Sequence, residues 1–136
     1  MNVVIAVTVA SIIWFVLAGA LFFNPLVEPI YNSEENSPAV KKLPKTPKTM
    51  GLIMAAILAQ TILWALVFKW LSPHLYWPPL SKGLFFGLML TCMKMVPRDV
   101  DRLLLTTYPL KRMAVEFIIG TACSFVIGLT FAFIIR

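Results

Sequence analysis

The sequence predicts an all-α membrane protein: four transmembrane helices in a bundle, with a short interfacial helix between helices three and four. Three observations predict it. The chain has 136 residues, of which 60% are hydrophobic and 13% charged, against about 45–50% and about 25% in an ordinary soluble domain. A short chain exposes much surface for its volume, so a soluble one would need more polar residues than this. The apolar residues fall into four blocks separated by proline-rich, charged segments. The basic residues are concentrated in alternate loops. The same hydrophobicity excludes intrinsic disorder.

Each block is measured against a hydrocarbon core of about 30 Å, which about 20 helical residues cross. Val3–Phe23 spans 21 residues without a charge, and its polar members are Thr8 and Ser11. It is longer than the apolar core of a cleaved signal peptide and no Lys or Arg precedes it, so it reads as a retained span. Asn24-Pro25 stops it. Met50–Phe68 contains Gln60 and Thr61 and is led by Thr46-Pro47, a capping hydroxyl before a first-turn proline. Pro79–Val96 has Lys82 near one end and Lys94 near the other. It qualifies if both lysines snorkel to the interfaces. Pro78-Pro79 opens this helix and Pro97 is expected to end it. Met113–Ile135 carries one acid, Glu116, and Pro109 can open its helix. The chain therefore reads as one domain, residues 1–136, with spans at about 3–23, 50–68, 79–96 and 113–135.

The loops carry the charge. Residues 24–49 hold Lys41, Lys42, Lys45 and Lys48, and residues 94–112 hold Lys94, Arg98, Arg102, Lys111 and Arg112. Lys69, Lys82 and Arg136 fall on the other side. Nine basic residues against three place both termini outside and the loops 24–49 and 97–112 in the cytoplasm. The net charge of +6 is thus mostly cytoplasmic. Arg98, Arg102, Lys111 and Arg112 are candidate contacts for anionic lipids; the same placement argues against nucleic acid as a partner. In residues 98–107, Val100, Leu103 and Leu104 recur at helical spacing, and acids suit the first turn, which predicts the interfacial helix. Asp99 and Asp101 are expected to form solvated ion pairs with Arg98 and Arg102. Trp70, Tyr76 and Trp77 suit an aromatic belt.

Small residues recur at intervals of four: Gly51, Ala55 and Ala59; Gly83 and Gly87; Gly120, Ser124 and Gly128. In lipid such stripes allow helix backbones to approach closely. They are the candidate packing residues, and they point to a homo-oligomer or a subunit of a larger membrane complex.

Candidate polar chemistry is sparse. Glu116 is the one acid inside a span, with Arg112 four residues earlier as a structural ion-pair partner. Gln60 lies centrally in the second span and reads as an interhelical hydrogen bond. Asn24, at the end of the first span, is the third polar candidate. His74 lacks companion ligands for a metal. Cys92 and Cys123 differ in predicted depth by about 9 Å, too much for a disulfide. No phosphate loop, HExxH or nucleophile elbow occurs. The expectation is a non-enzymatic protein without cofactor or metal; the alternative is a small oligomeric transporter or channel with Glu116 and Gln60 on a polar path.

The stretch Gly19-Ala20-Leu21-Phe22-Phe23-Asn24-Pro25-Leu26 and the Lys/Pro/Thr lead into residues 46–59 resemble a family of small four-helix bacterial integral membrane proteins with no assigned activity. That resemblance implies a multi-pass protein of a bacterial inner membrane.

Overall fold

The computed structural model describes residues 2–40, 44 and 46–135; Lys41, Lys42, Lys45 and Arg136 of the charge count lie outside the described residues. The elements are α1 (Asn2–Phe22), α2 (Glu28–Ser33), α3 (Pro47–Leu71) with a 3-10 turn (Ser72–His74), α4 (Pro79–Leu90), a π-helical turn (Thr91–Met95), α5 (Val96–Leu105) and α6 (Leu110–Ile134). No strand occurs among the described residues. Three helices, Asn2–Phe22, Pro47–His74 and Leu110–Ile134, are long and apolar enough to cross a membrane.

The helix ends follow the local chemistry. Asn24 Oδ1 accepts from the Leu26 amide at 2.9 Å, folding the chain back after α1. Thr46 accepts from the Thr49 amide and Pro47 occupies the first turn of α3. Pro79 starts α4, where its missing N–H would find no partner anyway. The apolar start of the first loop forms α2, a short helix absent from the sequence reading.

Pro97 does not end the third long helix. Thr91–Met95 is a π turn in which the Val96 amide reaches the Thr91 carbonyl, and α5 continues from it directly. A proline clashes with the carbonyl four residues earlier, and a widened turn just before Pro97 relieves that clash. The turn also corrects the register. A helix advances about 100° per residue, so Met95 would stand about 120° away from Gly83; one extra residue in the turn returns it to about 20°. Gly83, Gly87, Leu90, Met95 and Asp99 are consequently all buried on one side.

That side packs on α6, the most buried long helix. Gly83 lies against Gly128 and Leu129, and Gly87 against Phe125, which fixes the two helices antiparallel. A Cβ on Gly83 would sit 2.8 Å from the Leu129 Cα, and one on Gly87 2.7 Å from the Phe125 Cα. Both obstacles are backbone, so neither can move aside cheaply. Ser124 is buried beside them and gives its hydroxyl to the Gly120 carbonyl at 2.8 Å. α1 packs on α6 and on α3 through Ala6, Val7, Ala10 and Ser11. Phe68 of α3 meets Phe86 of α4 edge-on at 5.0 Å and Phe131 of α6 at 5.9 Å.

The stripe on α3 behaves differently. Gly51, Ala55 and Ala59 are exposed, and a Cβ on Gly51 would meet nothing within 4 Å. α3 instead buries Ile57, Thr61, Ala65 and Phe68.

Replacing Gly83 or Gly87 by Ala is therefore expected to destabilise the protein by about 1–3 kcal/mol, the usual cost of overpacking. Gly51→Ala should not destabilise it, and by helix propensity should add up to about 1 kcal/mol. Reversible unfolding of the purified variants in mixed micelles measures both.

Candidate functional site

Polar residues from four segments meet at the end of the bundle where α6 begins. Arg112 and Glu116 lie one turn apart near the start of α6. α5 brings Arg98, Asp99 and Arg102. Tyr31 comes from α2 and Tyr108 from the connection between α5 and α6. The carboxylate of Glu116 is the centre; its side chain is 14% exposed. Its Oε1 accepts from the Tyr31 hydroxyl at 2.9 Å and from the Tyr108 hydroxyl. Its Oε2 accepts from Arg102 Nη1 at 2.5 Å. Arg112 Nε stands 3.7 Å from Oε1, and Arg98 Nη2 4.0 Å from Oε2.

A second layer holds these donors in place. The Arg102 guanidinium lies over the Tyr108 ring at 4.3 Å, and that of Arg112 over the Tyr31 ring at 4.0 Å. Such stacking suits a planar, weakly hydrated cation. Tyr31 is braced edge-on by Phe22 at 5.3 Å. Asp99 is buried and takes both Arg98 Nε at 2.8 Å and Arg98 Nη2 at 3.3 Å, with Arg102 at 3.8 Å. The expectation of solvated pairs thus fails for Asp99: the register set by the π turn points it inward.

Electrostatics follow from this packing. Burial first, then the hydrogen bond and charge of Glu116, push the Tyr108 phenol up to about 12. Burial and the same carboxylate raise the Tyr31 phenol as well. For Arg102, burial works against the charge, but the hydrogen bond and charge of Glu116 outweigh it and hold the guanidinium above its ordinary value.

The ion pair of Arg112 with Glu116 is present, but it is the longer one. Arg102, Tyr31 and Tyr108 make the direct bonds. Both tyrosines escaped sequence reasoning, although a phenol beside an apolar segment at a membrane interface is the available signal. A carboxylate that already accepts two phenols and a guanidinium is well supplied with donors. Chemically the arrangement is a latch: it ties α2, α5 and the α5–α6 connection to the start of α6.

The other polar candidates lie apart from it. Gln60 is exposed on α3 and gives its amide to the Ala56 carbonyl at 3.4 Å, so it makes no interhelical bond and does not join Glu116. Asn24 serves the turn after α1. Of the four lipid-contact candidates, Lys111 is exposed, whereas Arg98, Arg102 and Arg112 turn toward Glu116. Cys92 is exposed and Cys123 buried, both as free thiols. His74 sits against Trp70. Among the described residues no group of His, Cys, Asp or Glu could hold a metal ion.

Lys94 contradicts the snorkelling expectation. Its ammonium lies 4.2 Å from the Trp14 ring centre and 4.5 Å from that of Trp64, and the two indoles stack at 5.2 Å. Trp14 is about 12 Å from the end of α1, at 1.5 Å per residue. Two ring faces therefore take over part of the role of water for this cation. Lys82, by contrast, reaches the polar turn after α3.

Glu116→Gln should destabilise the protein by about 2–4 kcal/mol, because it leaves the arginines without their anion. Tyr31→Phe should cost about 1 kcal/mol, the worth of one hydrogen bond. The pH dependence has a definite sign. A phenol with a raised pKa stabilises fully below its ordinary value of 10.0, and that contribution is lost as pH rises through about 12. Melting curves from pH 8 to 12 should show the wild type losing more stability at the alkaline end than a Tyr31→Phe, Tyr108→Phe double variant. No protein-family model, curated protein or solved structure matches the chain.

Proposed function

We propose that the chain is a four-span integral membrane protein without enzymatic activity of its own, acting through helix packing as a homo-oligomer or as an accessory subunit of a membrane complex. Its outer surface favours a bilayer: Val4 and Val16 of α1, Leu52 and Leu63 of α3, and Ile118 and Phe133 of α6 are each more than half exposed. Contiguous apolar surface of this kind is rare on a soluble monomer. The fourth span is Pro79–Met95, about 25 Å long at helical rise. That is somewhat short of the hydrocarbon core, which local thinning accommodates. In α5 Arg98, Asp99 and Arg102 face the latch while Leu103, Leu104 and Leu105 are exposed. Such a helix suits the cytoplasmic interface. The bias of basic residues orients the termini outward, and the resemblance to small bacterial four-helix membrane proteins agrees with an inner-membrane location.

The observation that carries the packing role is the exposed stripe Gly51, Ala55 and Ala59. The other two stripes are occupied within the chain by the α4–α6 contact. Lipid tails have no need of small residues, whereas a second helix does. Disulfide crosslinking in native membranes tests this with Ala55→Cys in a Cys92→Ser, Cys123→Ala background. The expected result is a crosslinked dimer, or an adduct with another membrane protein, that Ala59→Leu abolishes. A chain that crosslinks to nothing and runs as a monomer in mild detergent would contradict the reading. Cysteines placed at Ser37, His74 and Thr107 test the four spans. A membrane-impermeant reagent applied to intact cells should label only the one at position 74.

A further inference from the structure

A second polar feature lies at the other end of the bundle, away from the Glu116 latch. The start of α1, the end of α3 with its 3-10 turn, the start of α4 and the end of α6 surround a cavity of about 750 Å³. That is within the range of ligand pockets, about 300–1,000 Å³. Two lysines, Lys69 and Lys82, line it together with Ser72 and Asn2, and no acid is among the described lining residues. Val3, Trp77, Ala132 and Ile135 supply apolar walls.

The two lysines are differently held. Lys82 is half-buried and its ammonium donates to the Ser72 carbonyl at 3.0 Å and to Ser72 Oγ at 3.5 Å. An ammonium has three donors, so one proton is left over. Lys69 is exposed at the last turn of α3. Topology gives no reason for them: basic residues are disfavoured on this side, yet Lys69 and Lys82 both line this cavity. Trp77 is fixed at the rim by Phe85, edge-on at 5.3 Å.

We propose that this cup binds the anionic headgroup of an outer-leaflet lipid, with the phosphate between Lys69 and Lys82 and the first part of an acyl chain against Val3, Trp77, Ala132 and Ile135. Positive charge with no carboxylate among the described lining residues selects an oxyanion. Apolar walls beside the cations select an amphiphile over a free ion. The inference rests on the four-span reading only in placing this end at a bilayer surface.

Native mass spectrometry of the full chain, titrated in detergent with phosphatidylglycerol or phosphatidylcholine, tests it. One phosphatidylglycerol should bind in preference to phosphatidylcholine. Lys69→Gln and Lys82→Gln should each weaken that binding about fivefold, from the usual worth of one basic residue near an anionic lipid. Lys48→Gln, exposed at the opposite end of α3, should leave it unchanged. Lys69→Arg should retain it, which separates lost charge from lost folding. Equal binding of both lipids, insensitivity to Lys69→Gln, or displacement by inorganic phosphate at the same concentration as the lipid would each overturn the proposal. Any of these with the Ala55 crosslink intact would leave the packing role standing and remove the cup alone.

Discussion

How closely α4 can approach α6 sets the geometry of everything around it. Gly83 and Gly87 bring one backbone against the other at Phe125, Gly128 and Leu129, with no room for a Cβ on either α4 glycine. Within a bilayer, burial of apolar side chains gives no advantage over lipid, so van der Waals contact at short range is the available attraction. The contact also fixes depth. Once Gly83 is opposite Leu129, Met95 is opposite Gly120, and the next turns of α5 arrive beside Glu116.

The π turn makes that sequence of contacts possible. Wound as an uninterrupted α-helix, the same residues could not hold both the glycines and Asp99 on one buried face. The turn also carries Lys94, which the widened backbone places against the stacked indoles of Trp14 of α1 and Trp64 of α3. A single local irregularity thus links three long helices and the polar latch. The latch in turn holds the loop segments. Because Glu116 accepts from residues on α2, α5 and the α5–α6 connection, those segments lose their independence from the bundle.

Much of the fold was legible in the residues. Apolar block length located the long helices to within a few residues, because crossing a hydrocarbon layer is a strong constraint on composition. Thr46-Pro47 and Asn24-Pro25 marked boundaries because capping chemistry is local. The glycine spacing of α4 and α6 marked both as packing faces, without naming either as the other's partner. What escaped depends on long-range geometry. Pro97 looked like a terminator, since its clash is local and the π turn that relieves it has no sequence signature. Lys94 looked destined for the interface, since nothing in the sequence brings Trp14 and Trp64 together. At the candidate site Glu116 was identified with Arg112, the partner that helical spacing reveals. Tyr31 is 85 positions away from Glu116, and only the folded chain brings them together. Gln60 shows the converse: a polar residue central in a span that bonds to its own helix.

The central claim is that the π turn, by absorbing one residue more than a regular helical turn holds, keeps the glycine contact and the latch in register. Insertion of one alanine after Met93, which is exposed within that turn, tests it most directly when combined with Glu116→Gln in a double-mutant cycle of unfolding free energies. The added residue rotates α5 by about 100° away from the latch, so it should destabilise the otherwise unaltered protein by about 2–4 kcal/mol and cost substantially less once Glu116 is replaced, because both changes break the same latch. Strictly additive effects, or an insertion without effect on stability, would contradict the account.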